Sequence, residues 1–90
     1  MLVALIAYDK EGALELRKAN REAHVAYLKS NDVVRQAGPL LDHAEEMCGS
    51  LIILEVADLE EAKRWAAADP YGKAGLFRDV TLIPWNRVIG

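Results

Sequence analysis

Four short apolar runs, Leu2–Tyr8, Val33–Leu41, Ser50–Val56 and Leu76–Ile83, are set apart by two stretches of helical periodicity. That order leaves few folds open to so short a chain. Leu2–Tyr8 is continuous in apolar residues, as a strand covered on both faces would be. From Ala13 to Ser30 the spacing changes to three and four, with Leu16, Ala19, Ala23 and Ala26 as the predicted buried stripe. Arg17, Asn20, Arg21, His24, Tyr27 and Leu28 share a neighbouring mixed face, too rich in large side chains for plain solvent surface. Asn31-Asp32 ends this helix. The second strand carries Gly38-Pro39, and a proline cannot donate to a ladder, so this strand belongs at an edge or a bulge. Asp42–Gly49 reads as a polar loop and Ser50–Val56 as a central strand. Asp58 is placed to cap the second helix, with Glu61 reaching back to its backbone N–H. Leu59, Ala62, Trp65 and Ala66 make that helix's buried stripe. Asp69-Pro70-Tyr71-Gly72 stops it, because a residue before proline avoids helical dihedrals, and Pro84-Trp85 begins the tail.

The elements thus run β-α-β-β-α-β, the α+β, ferredoxin-like arrangement of an antiparallel sheet with two helices on one face. Right-handed crossovers put the first and third strands side by side in the middle; the expectation is a parallel central pair. Each helix runs back along the strand it follows, so the two are expected roughly parallel, finishing at one end of the sheet. The other sheet face is left bare. Ninety residues make one domain, 1–90, and 52% hydrophobic residues exceeds what so small an interior holds. A homodimer through the open sheet face is therefore expected.

Net charge is −3, with both signs interspersed and no basic stripe among aromatics, which argues against nucleic-acid binding. One cysteine, Cys48, excludes an intrachain disulfide and fits a reducing compartment. The apolar N-terminus lacks a basic leader and is too short to span a membrane, so a cytoplasmic protein without membrane partners is expected.

His24 and Asp69 are the pair through which chemistry would enter. If the two helices end together, an imidazole and a carboxylate meet there, and a histidine held by an aspartate is a ready general acid/base. An aspartate at a helix C-terminus gains nothing from the dipole there. Asp-Pro is also a common helix stop, and a histidine on a mixed face is often merely packed. Arg17 and Arg21 precede His24 on its face and offer forked donors to an anion; solvated surface positions are the plainer alternative. Ser50 could hydrogen-bond near the rim. Trp65 belongs to the core, while Tyr71 and Trp85 could line a pocket or close a dimer interface. The His43 loop matches no zinc pattern, and the glycines form no phosphate loop. No metal and no cofactor are expected.

Several of these segments in order, Arg21-Glu22-Ala23-His24-Val25-Ala26-Tyr27-Leu28, Ala37-Gly38-Pro39-Leu40, Gly49-Ser50-Leu51, Ala68-Asp69-Pro70-Tyr71 and Gly75-Leu76-Phe77, resemble the YCII (YciI-like) family. The resemblance implies a ferredoxin-like fold paired into a dimeric α/β barrel. It also implies a pocket with His24 and Asp69 as an active-site pair and Arg21, Gly38, Pro39 and Ser50 around the substrate. A cofactor-free dehydrochlorinase of a chlorinated hydroxyhydroquinone is related, so the expected activity is a lyase or isomerase acting on a small anionic or aromatic molecule. A non-catalytic dimer that binds a small metabolite, an accessory module or a purely structural partner are the alternatives.

Overall fold

The computed structural model describes residues 1–90. Its elements are β1 (Leu2–Asp9), α1 (Leu14–Lys29), β2 (Val34–Leu41), β3 (Met47–Glu55), α2 (Leu59–Ala68), α3 (Pro70–Lys73) and β4 (Phe77–Trp85). The sheet order is β2-β3-β1-β4, the ferredoxin-like topology expected. β2, with Pro39, lies at an edge. β3 starts earlier than expected, at Met47, which shortens the hairpin connection to Asp42–Glu46. There the Asp42 carboxylate accepts from the N–H groups of Ala44 and Glu46. β4 runs on through Pro84, tolerated because β4 is the other edge.

Two expectations of direction are corrected. All three strand pairs are antiparallel, β1 with β3 included. The α1 crossover brings β2 back parallel to β1, and the hairpin then reverses β3 between them. The helices consequently oppose each other. Tyr27 meets Trp65, His24 meets Asp69 and Arg17 meets Tyr71, so climbing one helix means descending the other. His24 and Asp69 come together for a different reason from the one expected: α2 has 10 residues against 16 in α1, and its end falls beside the middle of its longer neighbour.

The core lies between the helices and one sheet face. Val3, Leu5 and Ala7 alternate inward along β1, opposite Leu54, Ile52 and Ser50 of β3. Trp65, Ala62 and Leu59 of α2 pack on them, as their spacing predicts. Asp58 caps α2 by accepting from the Glu61 N–H, whereas Glu61 returns to the N–H of Ala57 rather than that of Asp58. The alanine stripe of α1 is a correction: Leu16, Ala19, Ala23 and Ala26 are exposed, and the mixed face carrying Arg17, His24, Tyr27 and Leu28 turns to the sheet. Alanines bury little area each, whereas Tyr27, Leu28 and the arginine and histidine stems cover far more. Gly49, paired with Tyr8, lets β3 lie close to β1, since a Cβ there would run into the Ala7 carbonyl oxygen. No helix is long and apolar enough to cross a membrane.

Candidate active site

Asp69 ends α2 and begins α3. Its Oδ1 accepts the Tyr71 N–H at 3.0 Å, so the residue caps the single turn of α3, a role the expectation of a dipole-disfavoured carboxylate missed. The same Oδ1 lies 2.7 Å from His24 Nδ1. Asp69 is 1% exposed, and its Oδ2 has no partner. His24 Nε2 makes no hydrogen bond within the chain. The imidazole stacks on the Tyr71 ring, with centroids 3.8 Å apart and planes 13° from parallel. The Tyr71 edge meets Phe77 at 84°. One carboxylate oxygen thus places both rings of the stack.

Arg17 was a candidate solvent residue and is instead 2% exposed. It donates from Nε to Asp9 Oδ2 at 2.7 Å, and from Nη2 to Asp9 Oδ1 at 3.0 Å and to Ser50 Oγ at 2.8 Å. Its guanidinium carbon lies over the Tyr71 ring, 4.6 Å from the centroid, at a distance favourable for cation–π attraction. Burial works against its charge, and the bond and charge of Asp9 more than offset that, raising its pKa. Asp9 went unnoticed in the sequence because it sits in what reads as a polar turn; the only signal was an acidic residue closing a wholly apolar strand.

Above this floor is a cavity of about 160 Å³, of the order that admits one six-membered ring. Arg21, His24, Gly38, Pro39, Ser50 and Tyr71 all line it, and Asp69 sits behind the imidazole. Val25, Leu28, Met47 and Ile52 supply an apolar wall. Arg21 is exposed and forms no ion pair, either with Glu22 or elsewhere. Ser50 is buried beneath the rim rather than on it. Trp85 lies apart, 40% exposed on the open sheet face.

Burial raises both Tyr27 and Tyr71 above their ordinary value of 10.0. At Tyr71 the charges of Arg17 and Arg21 oppose the rise, while Asp69 adds to it at both residues. The fold thus favours the neutral phenols. Their contribution is complete below the ordinary value and is lost as pH climbs through the raised one. Stability measured by circular dichroism should fall from about pH 10 upward, and Tyr71→Phe should soften the fall. An unchanged alkaline profile in that variant would refute the assignment.

A YCII-related domain matches residues 1–86. The chain belongs to the YCII family. YciI of Escherichia coli (strain CFT073) is 37% identical over 97 aligned positions, spanning 98% of this chain and 99% of that protein. A Haemophilus influenzae relative is 36% identical over the same shares. Among solved structures, the YCII chain resembles 5-chloro-2-hydroxyhydroquinone dehydrochlorinase (TftG) from Burkholderia phenoliruptrix AC1100, in complex with 2,5-dihydroxybenzoquinone. The TM-score is 0.87 at 32% identity, over 96% of this chain and 94% of that one. Rv0793 from Mycobacterium tuberculosis, with a TM-score of 0.60 and 13% identity over 99% and 100% of the two chains, shares the fold.

Proposed function

We propose that this YCII protein is a small-molecule enzyme of the lyase or isomerase type that works by proton transfer without a cofactor. His24 moves the proton and Asp69 fixes its tautomer. Arg21 holds an anionic group, while Gly38, Pro39, Ser50 and Tyr71 shape the pocket. One observation carries the reading: an imidazole with one nitrogen on a buried carboxylate and the other unpartnered, at the wall of a cavity. With Nδ1–H donated to Asp69, the lone pair of a neutral ring resides at Nε2, where a base is needed. The likeness to TftG suggests small hydroxylated rings as the first compounds to try.

The test is the ¹⁵N spectrum of the His24 ring, assigned with His43→Ala, at a pH where the ring is neutral. Protonated Nδ1 and bare Nε2 are expected, and the opposite tautomer would sink the acid–base reading. Alongside it, a panel of hydroxyhydroquinones, small keto acids and lactones should show turnover that His24→Ala loses while staying folded. Binding that survives in His24→Ala, with no turnover by the wild type, would favour a binding module instead.

We also infer that the open sheet face pairs with the same face of a second copy. Tyr8, Leu51, Ile83 and Trp85 stand exposed on it, more apolar surface than a monomer usually leaves to water. In a twofold interface each substitution acts twice, so Ile83→Asp should leave only monomer in sedimentation. A monomeric wild type at micromolar concentration would rule the pairing out.

A further inference from the structure

The Tyr71 ring has no surface left for a ligand. His24 stacks on it, the Arg17 guanidinium lies over it, and Phe77 stands at 84° to it. Only the hydroxyl, beside the Arg17 guanidinium, keeps a hydrogen to donate. Two buried side-chain nitrogen and oxygen atoms lack partners, Trp65 Nε1 and Asp69 Oδ2. Tyr71 Oη is not one of these: the Arg17 guanidinium is its polar neighbour within the chain, and a guanidinium only donates, so the phenol proton stays available. Tyr71 lines the cavity with His24 and Arg21.

We infer that Tyr71 is a second catalytic residue, its hydroxyl donating to a substrate oxygen on which negative charge develops. The substrate class is then a small carbonyl or enol compound that forms an enolate. This inference rests on the acid–base reading of His24 and adds the group that receives the other half of the charge separation. His24 Nε2 takes a proton from the carbon beside a carbonyl. The C–H electron pair becomes a C=C bond, and the carbonyl π pair moves to oxygen. The resulting oxyanion accepts from Tyr71 O–H and is attracted by Arg21, the preorganised donor arrangement that stabilises developing charge best. Return of the proton from Nε2 to another carbon completes an isomerisation. Alternatively the oxygen pair re-forms C=O, and the C=C pair shifts to expel a leaving group with its own electrons. Neither route needs a further reactant.

The position of the phenol suits this task. Burial keeps it protonated at neutral pH, while the charges of Arg17 and Arg21 favour negative charge around its oxygen. Its orientation is fixed twice, by the stack and by its own N–H on Asp69. Little is therefore lost to reorganisation when the substrate arrives.

The probe is 2,5-dihydroxybenzoquinone, whose ionised form presents an oxyanion on a flat ring. Wild-type protein carrying ¹³Cζ-labelled tyrosine has three such signals, assigned by Tyr8→Phe and Tyr27→Phe. Binding should move the Tyr71 signal and leave Tyr8 in place. Tyr71→Phe, which keeps the ring stack, should bind the probe about ten- to a hundredfold more weakly, the worth of a hydrogen bond to a charged group. A stationary Tyr71 signal in the saturated wild type overturns the inference even if the variant fails to fold. Equal affinity in a folded Tyr71→Phe, with binding weakened in His24→Ala, removes Tyr71 and spares His24. A wild type that does not bind the probe overturns the inference and the pocket reading together.

Discussion

Turnover in Asp69→Asn is expected to fall by about 10²–10⁴-fold, the usual worth of a positioned acid/base group, with the fold retained. Asparagine keeps an oxygen that can accept the Tyr71 N–H, so the α3 cap survives. What it offers His24 Nδ1 depends on which way the amide turns. With its oxygen in the place of Oδ1 it accepts from both the Tyr71 N–H and His24 Nδ1–H, and the NH₂ takes the place of the unpartnered Oδ2; what is removed is the negative charge that stabilises the imidazolium once Nε2 has taken a proton. The base is weakened although every heavy atom stays in place. Asp69→Ala differs by removing the cap as well, adding about 1 kcal/mol of instability. The measurement is kcat on the hydroxyhydroquinone, keto-acid and lactone panel beside a thermal melt. A folded Asp69→Asn with wild-type turnover would take the carboxylate out of the mechanism.

Arg17→Ala is expected to cost about 3–5 kcal/mol, because it leaves the Asp9 carboxylate buried and uncompensated. The two side chains are 3% and 6% exposed, so solvent cannot take over from the lost partner. Small domains have only about 5–15 kcal/mol in hand; urea unfolding should show the midpoint moving by a large fraction of its value. Arg17→Lys keeps a charge but not the fork that bonds both carboxylate oxygens and Ser50, and should fall between. Joint replacement by Met at Arg17 and Leu at Asp9 should recover much of the loss, since two apolar groups leave no charge stranded. A wild-type midpoint in Arg17→Ala would mean that water reaches Asp9.

The order of elements, the edge position of β2, the cap at Asp58 and the buried face of α2 were legible because each follows from local chemistry: periodicity, proline's missing donor, a carboxylate before a helix. The inward face of α1 differs from expectation because binary patterning counts Arg17 and His24 as polar, whereas Asp69 lies 45 residues from His24 and Asp9, 8 residues before Arg17, lies in another element. Strand and helix directions differ from expectation because the hairpin reverses β3 relative to β2. The His24–Asp69 meeting was anticipated on that mistaken geometry. It holds because α2 is short, a property of length rather than direction. Arg21, Gly38, Pro39 and Ser50 come to the pocket from resemblance and Tyr71 from its place in a connection; no local pattern singles out Gly38 or Ser50.

The cavity is built from parts of unequal permanence. Its floor, Arg17, Tyr71, His24 and Asp69, is locked into the core by bonds that each serve two purposes. Its side, Ala37-Gly38-Pro39, belongs to an edge strand with one neighbour and mostly exposed residues. Substitutions on that strand disturb little else, so the outline of the cavity is free to drift while its floor stays put. A lineage that keeps this floor can reshape the space above it by rewriting three residues of an outer hem.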